Sequence, residues 1–187
     1  MRVIAGKFKS RRLRTLRGMS LRPTSDRLRE TLFDILGDAV KDAMFVDLFA
    51  GTGAVGIEAI SRGALRVVFV EKHAPAAQLI RENLKSLGII GGTEILPIDA
   101  LHALETLASQ HARVDFVFLD PPYADAREYQ RTLEFIGAGG LLSSTGIAIA
   151  EHGKKMELPL RVEALERTRV VMQGDSVLSF YQLARAA

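Results

Sequence analysis

Five short apolar runs that alternate with helical stretches constrain this 187-residue chain more than any other feature. The runs occupy residues 44–49, 67–70, 95–98, 116–119 and 147–150, with helical patterns near 53–62, 75–87, 100–110 and 126–136. Strands separated by single helices form parallel sheets whose two faces are both covered. Two further strands at 169–172 and 177–183, joined by a tight turn, predict an antiparallel hairpin. We therefore predict an α/β fold with an open, mostly parallel sheet that ends in an antiparallel hairpin.

Positive charge is concentrated at the start of the chain. The net charge is +3, but residues 1–30 hold ten Lys or Arg against two Asp or Glu. A basic segment on a slightly acidic body is typical of a polyanion-binding protein, although a solubilising tail has the same composition. We predict two parts, a basic arm and helix over residues 1–40 and a domain over residues 41–187 that contains the sheet. The helix is expected to start at the capping residue Thr24 and to run to about residue 36.

Composition excludes several classes of site. The chain has no cysteine, which rules out a disulfide framework, a thiolate zinc site and a cysteine nucleophile. Its four histidines lack the mutual spacing of metal ligands, so no metal is expected. No apolar stretch approaches the roughly 18 residues of a membrane span. We expect a soluble, cytoplasmic monomer without a membrane partner.

Glycines follow the first predicted strand in the pattern G-x-G-x-x-G, formed by Gly51, Gly53 and Gly56. Between a strand and a helix, this pattern lets an adenosine-containing cofactor lie against bare backbone. Asp47 comes four residues before Gly51, where its carboxylate would repel the pyrophosphate of a dinucleotide and attract a cationic amino-acid group. S-adenosylmethionine is therefore favoured over NAD.

Two more acidic residues end the next predicted strands. Glu71 is 20 residues after Gly51, at the position where a carboxylate accepts hydrogen bonds from ribose hydroxyls. Asp99 can accept a hydrogen bond from the adenine amine, cap the following helix, or do both. The predicted cofactor contacts are completed by Phe49, Thr52 and Ala100.

The fourth predicted strand ends in Asp120-Pro121-Pro122-Tyr123, which we interpret as the catalytic loop. An exocyclic base amine is a poor nucleophile because its lone pair is delocalised into the ring. Asp120 and the Pro121 carbonyl can accept its two N–H bonds, which turns the lone pair towards a methyl donor. Pro122 stiffens the segment, and Tyr123 offers a stacking face for an extruded base. The alternative is an ordinary Asp-Pro turn.

The sequence resembles the bacterial 16S ribosomal RNA guanine-N2 methyltransferases. The residues that carry the likeness are 22–33, which open with Arg22-Pro23-Thr24, then 47–59, 61–64 and 118–123. The resemblance implies a Rossmann-like seven-stranded methyltransferase fold, with the S-adenosylmethionine-dependent methyltransferase domain over residues 41–187 and a small RNA-contacting extension over residues 1–40. It also implies methyl transfer from S-adenosylmethionine, leaving S-adenosylhomocysteine, to a guanine of 16S RNA on an assembled or assembling small subunit.

Basic side chains near the start of the chain are the predicted phosphate contacts: Lys7, Lys9, Arg11, Arg12, Arg14, Arg22 and Arg27. Glu151, at the end of the fifth predicted strand, is expected to be solvated. The alternatives left open are an adenine-N6 methyltransferase, a protein-glutamine methyltransferase and a non-catalytic ribosome-assembly factor. The last would retain the cofactor fold as a relic.

Overall fold

The computed structural model describes residues 1–15, 25–122 and 126–184. The described helices are α1 (Asp26–Leu36), α2 (Ala54–Ser61), α3 (Ala74–Leu87), α4 (Ala100–Ser109) and α5 (Ala126–Gly137), with short 3-10 helices at Gly6–Phe8 and Gly37–Val40. The strands are β1 (Met44–Asp47), β2 (Arg66–Val70), β3 (Thr93–Leu96), β4 (Val114–Leu119), β5 (Leu142–Gly153), β6 (Arg161–Val162), β7 (Leu165–Gln173) and β8 (Ser176–Leu183).

These strands form one sheet in the order β3-β2-β1-β4-β5-β8-β7-β6. The first five are parallel, and β8 lies antiparallel between β5 and β7. The predicted mostly parallel sheet with an antiparallel hairpin end is confirmed. The two-residue strand β6 extends it at the edge and was too short to recognise in the sequence.

Helices cover both faces of the parallel strands, which explains why their apolar runs do not alternate with polar residues. One face carries Phe45 and Phe116 and packs in a cluster with α1, α2 and α3. The opposite face carries Val46 and Val117 and packs with α4 and α5. In the described part of the chain, no helix combines the length and hydropathy that a bilayer span requires.

Residues 1–14 form an N-terminal hairpin. An antiparallel bridge joins Arg2 to Arg12, and the Val3 N–H donates to the Arg11 carbonyl at 2.9 Å. Val3 and Leu13 are buried in the core cluster on the face of α1, α2 and α3. The hairpin is therefore packed on the body, and its cations project from an attached element.

Glu58 of α2 holds this hairpin through its buried carboxylate. The Ile4 and Ala5 N–H groups donate to its two oxygens at 2.7 and 3.0 Å. The guanidinium of Arg62 donates to the same group at 2.9 Å, and Arg29 of α1 lies 3.9 Å away. A carboxylate that is shielded from solvent is costly unless it has hydrogen-bond and charge partners. The carboxylate of Glu58 therefore joins α1, α2 and the hairpin at one point.

Helix α1 begins one residue later than predicted. Ser25 is the N-cap, and its hydroxyl accepts from the Leu28 N–H at 3.1 Å. Thr24, the predicted cap, lies outside the described residues. The predicted apolar face is confirmed, since Leu28, Leu32 and Leu36 are buried and Ile35 packs against the core.

Helix α2 crosses β2 so closely that Gly56 has no room for a side chain. A Cβ at this position would lie 2.3 Å from Cε1 of Phe69. We expect Gly56→Ala to lower the free energy of unfolding by about 1–3 kcal/mol, because the overlap has to be relieved by moving the ring or the helix. Chemical denaturation measures the change.

Gly91→Ala is the matched control, since nothing lies within 4 Å of a Cβ there. Adding Phe69→Leu to Gly56→Ala should recover part of the loss. Equal stability of the two single alanine variants would contradict the close approach of α2 and β2.

Candidate active site

A cavity of about 730 Å³ opens at the carboxyl ends of the parallel strands. Its walls come from the segments that follow β1, β2 and β4 and from residues before and within α4. The order of the strands reverses between β1 and β4, and in open α/β sheets this is where ligands bind. The cavity contains most of the predicted cofactor contacts together with Asp120, Pro121 and Pro122.

The glycine loop, residues 48–53, forms one side of this cavity. Gly51 lines it with a φ of +53°, and Gly53 adopts the left-handed conformation at the N-cap of α2. A tight turn is closed by the Gly53 N–H, which donates to the Ala50 carbonyl at 2.6 Å. Gly53 and Gly56 are not part of the described wall; they let the loop and α2 pack against Ile80 and Phe69.

Asp47 ends β1 beneath this loop, and only 1% of the residue is exposed. The Gly56 N–H donates to its carboxylate at 3.0 Å. Burial raises the pKa of Asp47 to about 7, an effect that the Gly56 hydrogen bond opposes and the negative charge of Glu71 reinforces. The site thus holds a carboxylate that a bound cation would stabilise in its ionised form.

Glu71 follows β2 and braces the glycine loop. Its carboxylate accepts the Gly51 N–H at 2.8 Å through one oxygen and the His73 N–H at 2.8 Å through the other. Each oxygen keeps a second lone pair, and Glu71 lines the cavity. Ribose binding by Glu71 stays a prediction, with loop support as an additional role.

Asp99 caps α4. Its carboxylate accepts the His102 N–H at 3.1 Å, so the capping role is confirmed, and the side chain also borders the cavity. Recognition of adenine by Asp99 stays a prediction. The remaining predicted contacts, Phe49, Thr52 and Ala100, all line the same cavity.

Asp120 follows β4 and faces the cavity beside Pro121 and Pro122. Burial raises its pKa well above the ordinary value of an aspartate, and the charges of Glu151 and Asp47 raise it further. The group therefore has a high proton affinity before any ligand arrives. Tyr123 lies outside the described residues.

Glu151 was predicted to be a solvated strand end, which is wrong. Only 4% of the residue is exposed, because β5 continues past it to Gly153, paired with β8. The β4–β5 register places Leu119 opposite Ala150, so Asp120 and Glu151 follow at the same level. The Tyr129 hydroxyl fixes this strand end by donating to the Glu151 carbonyl at 2.5 Å.

Five of the seven predicted RNA contacts lie on the N-terminal hairpin, and all five are exposed: Lys7, Lys9, Arg11, Arg12 and Arg14. Arg11 donates to the Ser86 carbonyl at 3.1 Å, and Arg14 pairs with Glu82 at 3.0 Å. Arg27 on α1 is also exposed. Arg22 lies outside the described residues.

Sequence reasoning missed several residues of the cavity wall. Met1 reaches it from the hairpin, and its Sδ lies 3.4 Å from the Thr52 hydroxyl. Glu128 and Arg131 reach it from α5, paired at 3.3 Å. Their position shortly after the Asp120-Pro121-Pro122 segment is the signal that would have found the α5 pair. Over the described ranges, no group of three or more His, Asp or Glu is arranged to hold a metal ion.

Comparison with known proteins gives consistent matches along the chain. Residues 1–182 match the model of the family described as conserved hypothetical protein 95. A Bacillus subtilis (strain 168) protein described as a candidate rRNA methyltransferase, YlbH, is 36% identical over 182 residues, which is 97% of this chain and 98% of that protein. Ribosomal RNA small subunit methyltransferase D of Escherichia coli (strain K12) is 32% identical over 182 residues, covering 97% and 89% of the two chains.

Among solved structures, a candidate methyltransferase from Escherichia coli, yhhF, superimposes with a TM-score of 0.84. It is 28% identical, and the match covers 98% of each chain. The fold is therefore that of the S-adenosylmethionine-dependent methyltransferases, as predicted.

The buried carboxylate of Asp47 should make stability depend on pH. Between about pH 4 and pH 7 the folded protein keeps a proton on Asp47 that the unfolded chain has released, so the free energy of unfolding falls as pH rises through this window. Asp47→Asn removes this loss of stability at higher pH because an amide does not titrate. Its amide oxygen can still accept the hydrogen bond of the Gly56 N–H. We expect its stability advantage over the wild type to grow by about 2–3 kcal/mol between pH 5 and pH 8.

Urea denaturation at both pH values measures this difference. Asp38→Asn, at an exposed carboxylate that does not line the cavity, is the control and should show no such growth. A stability difference between Asp47→Asn and the wild type that does not change with pH would contradict the raised pKa of Asp47.

Proposed function

Because the chain belongs to the conserved hypothetical protein 95 family of bacterial ribosomal RNA methyltransferases, we propose that it methylates the exocyclic N2 of a guanine in 16S ribosomal RNA. The methyl donor in this proposal is S-adenosylmethionine. The observation that carries the proposal is the Asp120-Pro121-Pro122 segment, which lines the same cavity as the glycine loop. A cofactor loop and acceptors for an amine are thus within one site.

The residues of the cavity fit this cofactor. Gly51 offers bare backbone, and Asp47 offers a buried carboxylate for a cationic group. Glu71 and Asp99 can accept hydrogen bonds from ribose and adenine, while Ile98 and Leu101 supply apolar surface for the ring. The volume lies in the range of small-molecule sites. When bound, S-adenosylmethionine supplies an electrophilic methyl group, which an amine can attack without a metal.

Asp120 has two tasks in the proposed reaction. Its carboxylate accepts one N–H of the amine, and the Pro121 carbonyl accepts the other, which orients the nitrogen lone pair. After methylation the nitrogen must lose a proton, which Asp120 accepts in this proposal. The raised pKa of this residue suits the second task, since a carboxylate in water would bind that proton weakly.

Three observations support ribosomal RNA as the substrate. The hairpin carries five exposed cations. A relative of nearly equal length is named a small-subunit ribosomal RNA methyltransferase. Residues 22–33 resemble the selective segment of the guanine-N2 enzymes. We infer a cytoplasmic enzyme that acts as a monomer on the small subunit or its precursor, and whose N-terminal hairpin contacts RNA.

The first test is methyl transfer from tritium-labelled S-adenosylmethionine to small subunits that lack base methylation. We expect label in N2-methylguanosine after digestion to nucleosides. Asp120→Ala should lower kcat by about 10²- to 10³-fold, because it removes an acceptor that acts on the reacting amine. Binding of S-adenosylhomocysteine should persist.

Asp38→Asn is the control and should keep full activity. Label in N6-methyladenine would replace guanine by adenine as the target. Label in protein alone would favour a glutamine methyltransferase. Cofactor binding without any transfer would favour an assembly factor.

The hairpin makes a separate prediction about ionic strength. Each cation that neutralises a phosphate releases counterions, so the affinity for RNA falls with salt in proportion to the number of neutralised phosphates. Replacing Lys9 and Arg12 by Gln should reduce the slope of log K against log salt by about 0.7 for each phosphate that is no longer neutralised. Filter binding of unmodified 16S RNA at several salt concentrations measures the slope.

Arg161→Gln, on the edge strand β6, is the matched control and should leave the slope unchanged. Equal slopes for the double variant and the wild type would exclude the hairpin from the RNA-binding surface.

A further inference from the structure

Asn83 is a polar residue in the interior of α3, and it is completely buried. Asparagine is unfavourable in the middle of a helix, and a buried amide is costly unless its hydrogen bonds are satisfied. Here all three hydrogen bonds of the side chain are made with residues outside α3. Such a residue contributes to tertiary structure at the expense of its own helix.

The bonds of Asn83 reach two different elements. Its Nδ2 donates to the Thr52 carbonyl in the glycine loop at 3.0 Å and to the Arg14 carbonyl at 3.2 Å. Its Oδ1 accepts the Arg14 N–H at 2.8 Å. One amide therefore holds the turn that lines the proposed cofactor cavity and the last residues of the hairpin that carries the proposed RNA contacts.

A second contact joins the same two elements. The Thr52 hydroxyl lies 3.4 Å from Sδ of Met1, and both residues line the cavity. On α3, Ile80 lies one turn before Asn83 and would touch a Cβ of Gly53 at 3.2 Å. The glycine loop is thus pressed against α3 at the place where Asn83 fastens the hairpin.

We propose that Asn83 is a positioning residue that couples cofactor binding to RNA binding through Thr52 and Arg14. The inference rests on the proposed function, since it takes the cavity as the cofactor site and the hairpin as the RNA surface. A cofactor that holds the glycine loop in place also holds the Thr52 carbonyl, and with it the amide that orients Arg14. RNA bound to the hairpin holds Arg14 in place, and it thereby holds the side-chain amide of Asn83 through the two hydrogen bonds with Arg14.

Thermodynamic linkage requires the coupling between cofactor and RNA binding to be reciprocal. If the cofactor raises the affinity for RNA by some factor, RNA raises the affinity for the cofactor by the same factor. Both ligands favour the arrangement in which the three bonds of Asn83 are made, so the coupling is positive. We expect a factor of about 5 to 20, within the usual range for coupled sites.

The experiment uses S-adenosylhomocysteine, which cannot donate a methyl group, and unmethylated small subunits. The Kd of the subunits is measured with and without saturating S-adenosylhomocysteine, and the Kd of S-adenosylhomocysteine is measured with and without subunits. The wild type should give the same factor in both directions. Asn83→Ala and Asn83→Asp, which each remove the bond to Thr52, should bring the factor close to 1.

Glu82→Gln is the matched control on the same helix. It removes the ion pair of Arg14 but leaves the three bonds of Asn83, so its coupling factor should equal that of the wild type. A residue that only stabilised the fold would weaken the binding of both ligands and keep the factor. That result, or a factor of 1 in the wild type, would overturn the inference. The wild-type measurement needs no variant to fold.

The two proposals fail in different ways. If the wild type binds S-adenosylhomocysteine but no small subunits, the proposed substrate is wrong, and with it the coupling. If it binds and methylates the subunits with a coupling factor of 1, the function stands and only the role of Asn83 is overturned.

Discussion

The carboxylate of Glu58 is the interaction on which the rest of this architecture depends. It is buried beside Arg29 and Arg62, and its oxygens also accept hydrogen bonds from backbone N–H groups of the N-terminal hairpin. An ionised group without water is tolerated only when all its partners are in place. The hairpin, α1 and α2 are therefore committed to one arrangement. Since α2 begins at the glycine loop, this arrangement also sets the geometry of the cavity.

A contrasting use of buried charge is found at the carboxyl ends of β1 and β4. Asp47 and Asp120 have no cationic side chain among the groups that shift their pKa, and both have raised proton affinities. The protein gives up stability at neutral pH to keep the Asp47 carboxylate out of water and to hold Asp120 half-buried. A cationic ligand at the first and an amine at the second would relieve that cost, so the chemistry of the site and its instability have one origin.

The sequence predicted those parts of the fold and site that follow from local patterns. The βα alternation, the glycine turn and the Asp-Pro-Pro segment each arise within a few residues, and all were placed correctly. Glu151 was misjudged because its burial depends on β8, which pairs with the end of β5 from more than 20 residues further along the chain. Asn83 was missed because an asparagine in an amphipathic helix looks like a surface residue until the hairpin is packed on it. The cap of α1 was predicted one residue too early, at Thr24 instead of Ser25, because the sequence alone does not distinguish two adjacent hydroxyl residues as helix caps.

The position of β8 has a consequence for how the chain is made. Of the described strands, β8 comes last along the sequence, yet it lies between β5 and β7 in the sheet. Until residues 176–183 have left the ribosome, β5 has an open edge and β7 has no partner towards the centre of the sheet. The sheet can therefore be completed only after β8 has been synthesised. An enzyme assembled in this way completes its scaffold only after the residues of its cavity have all been translated.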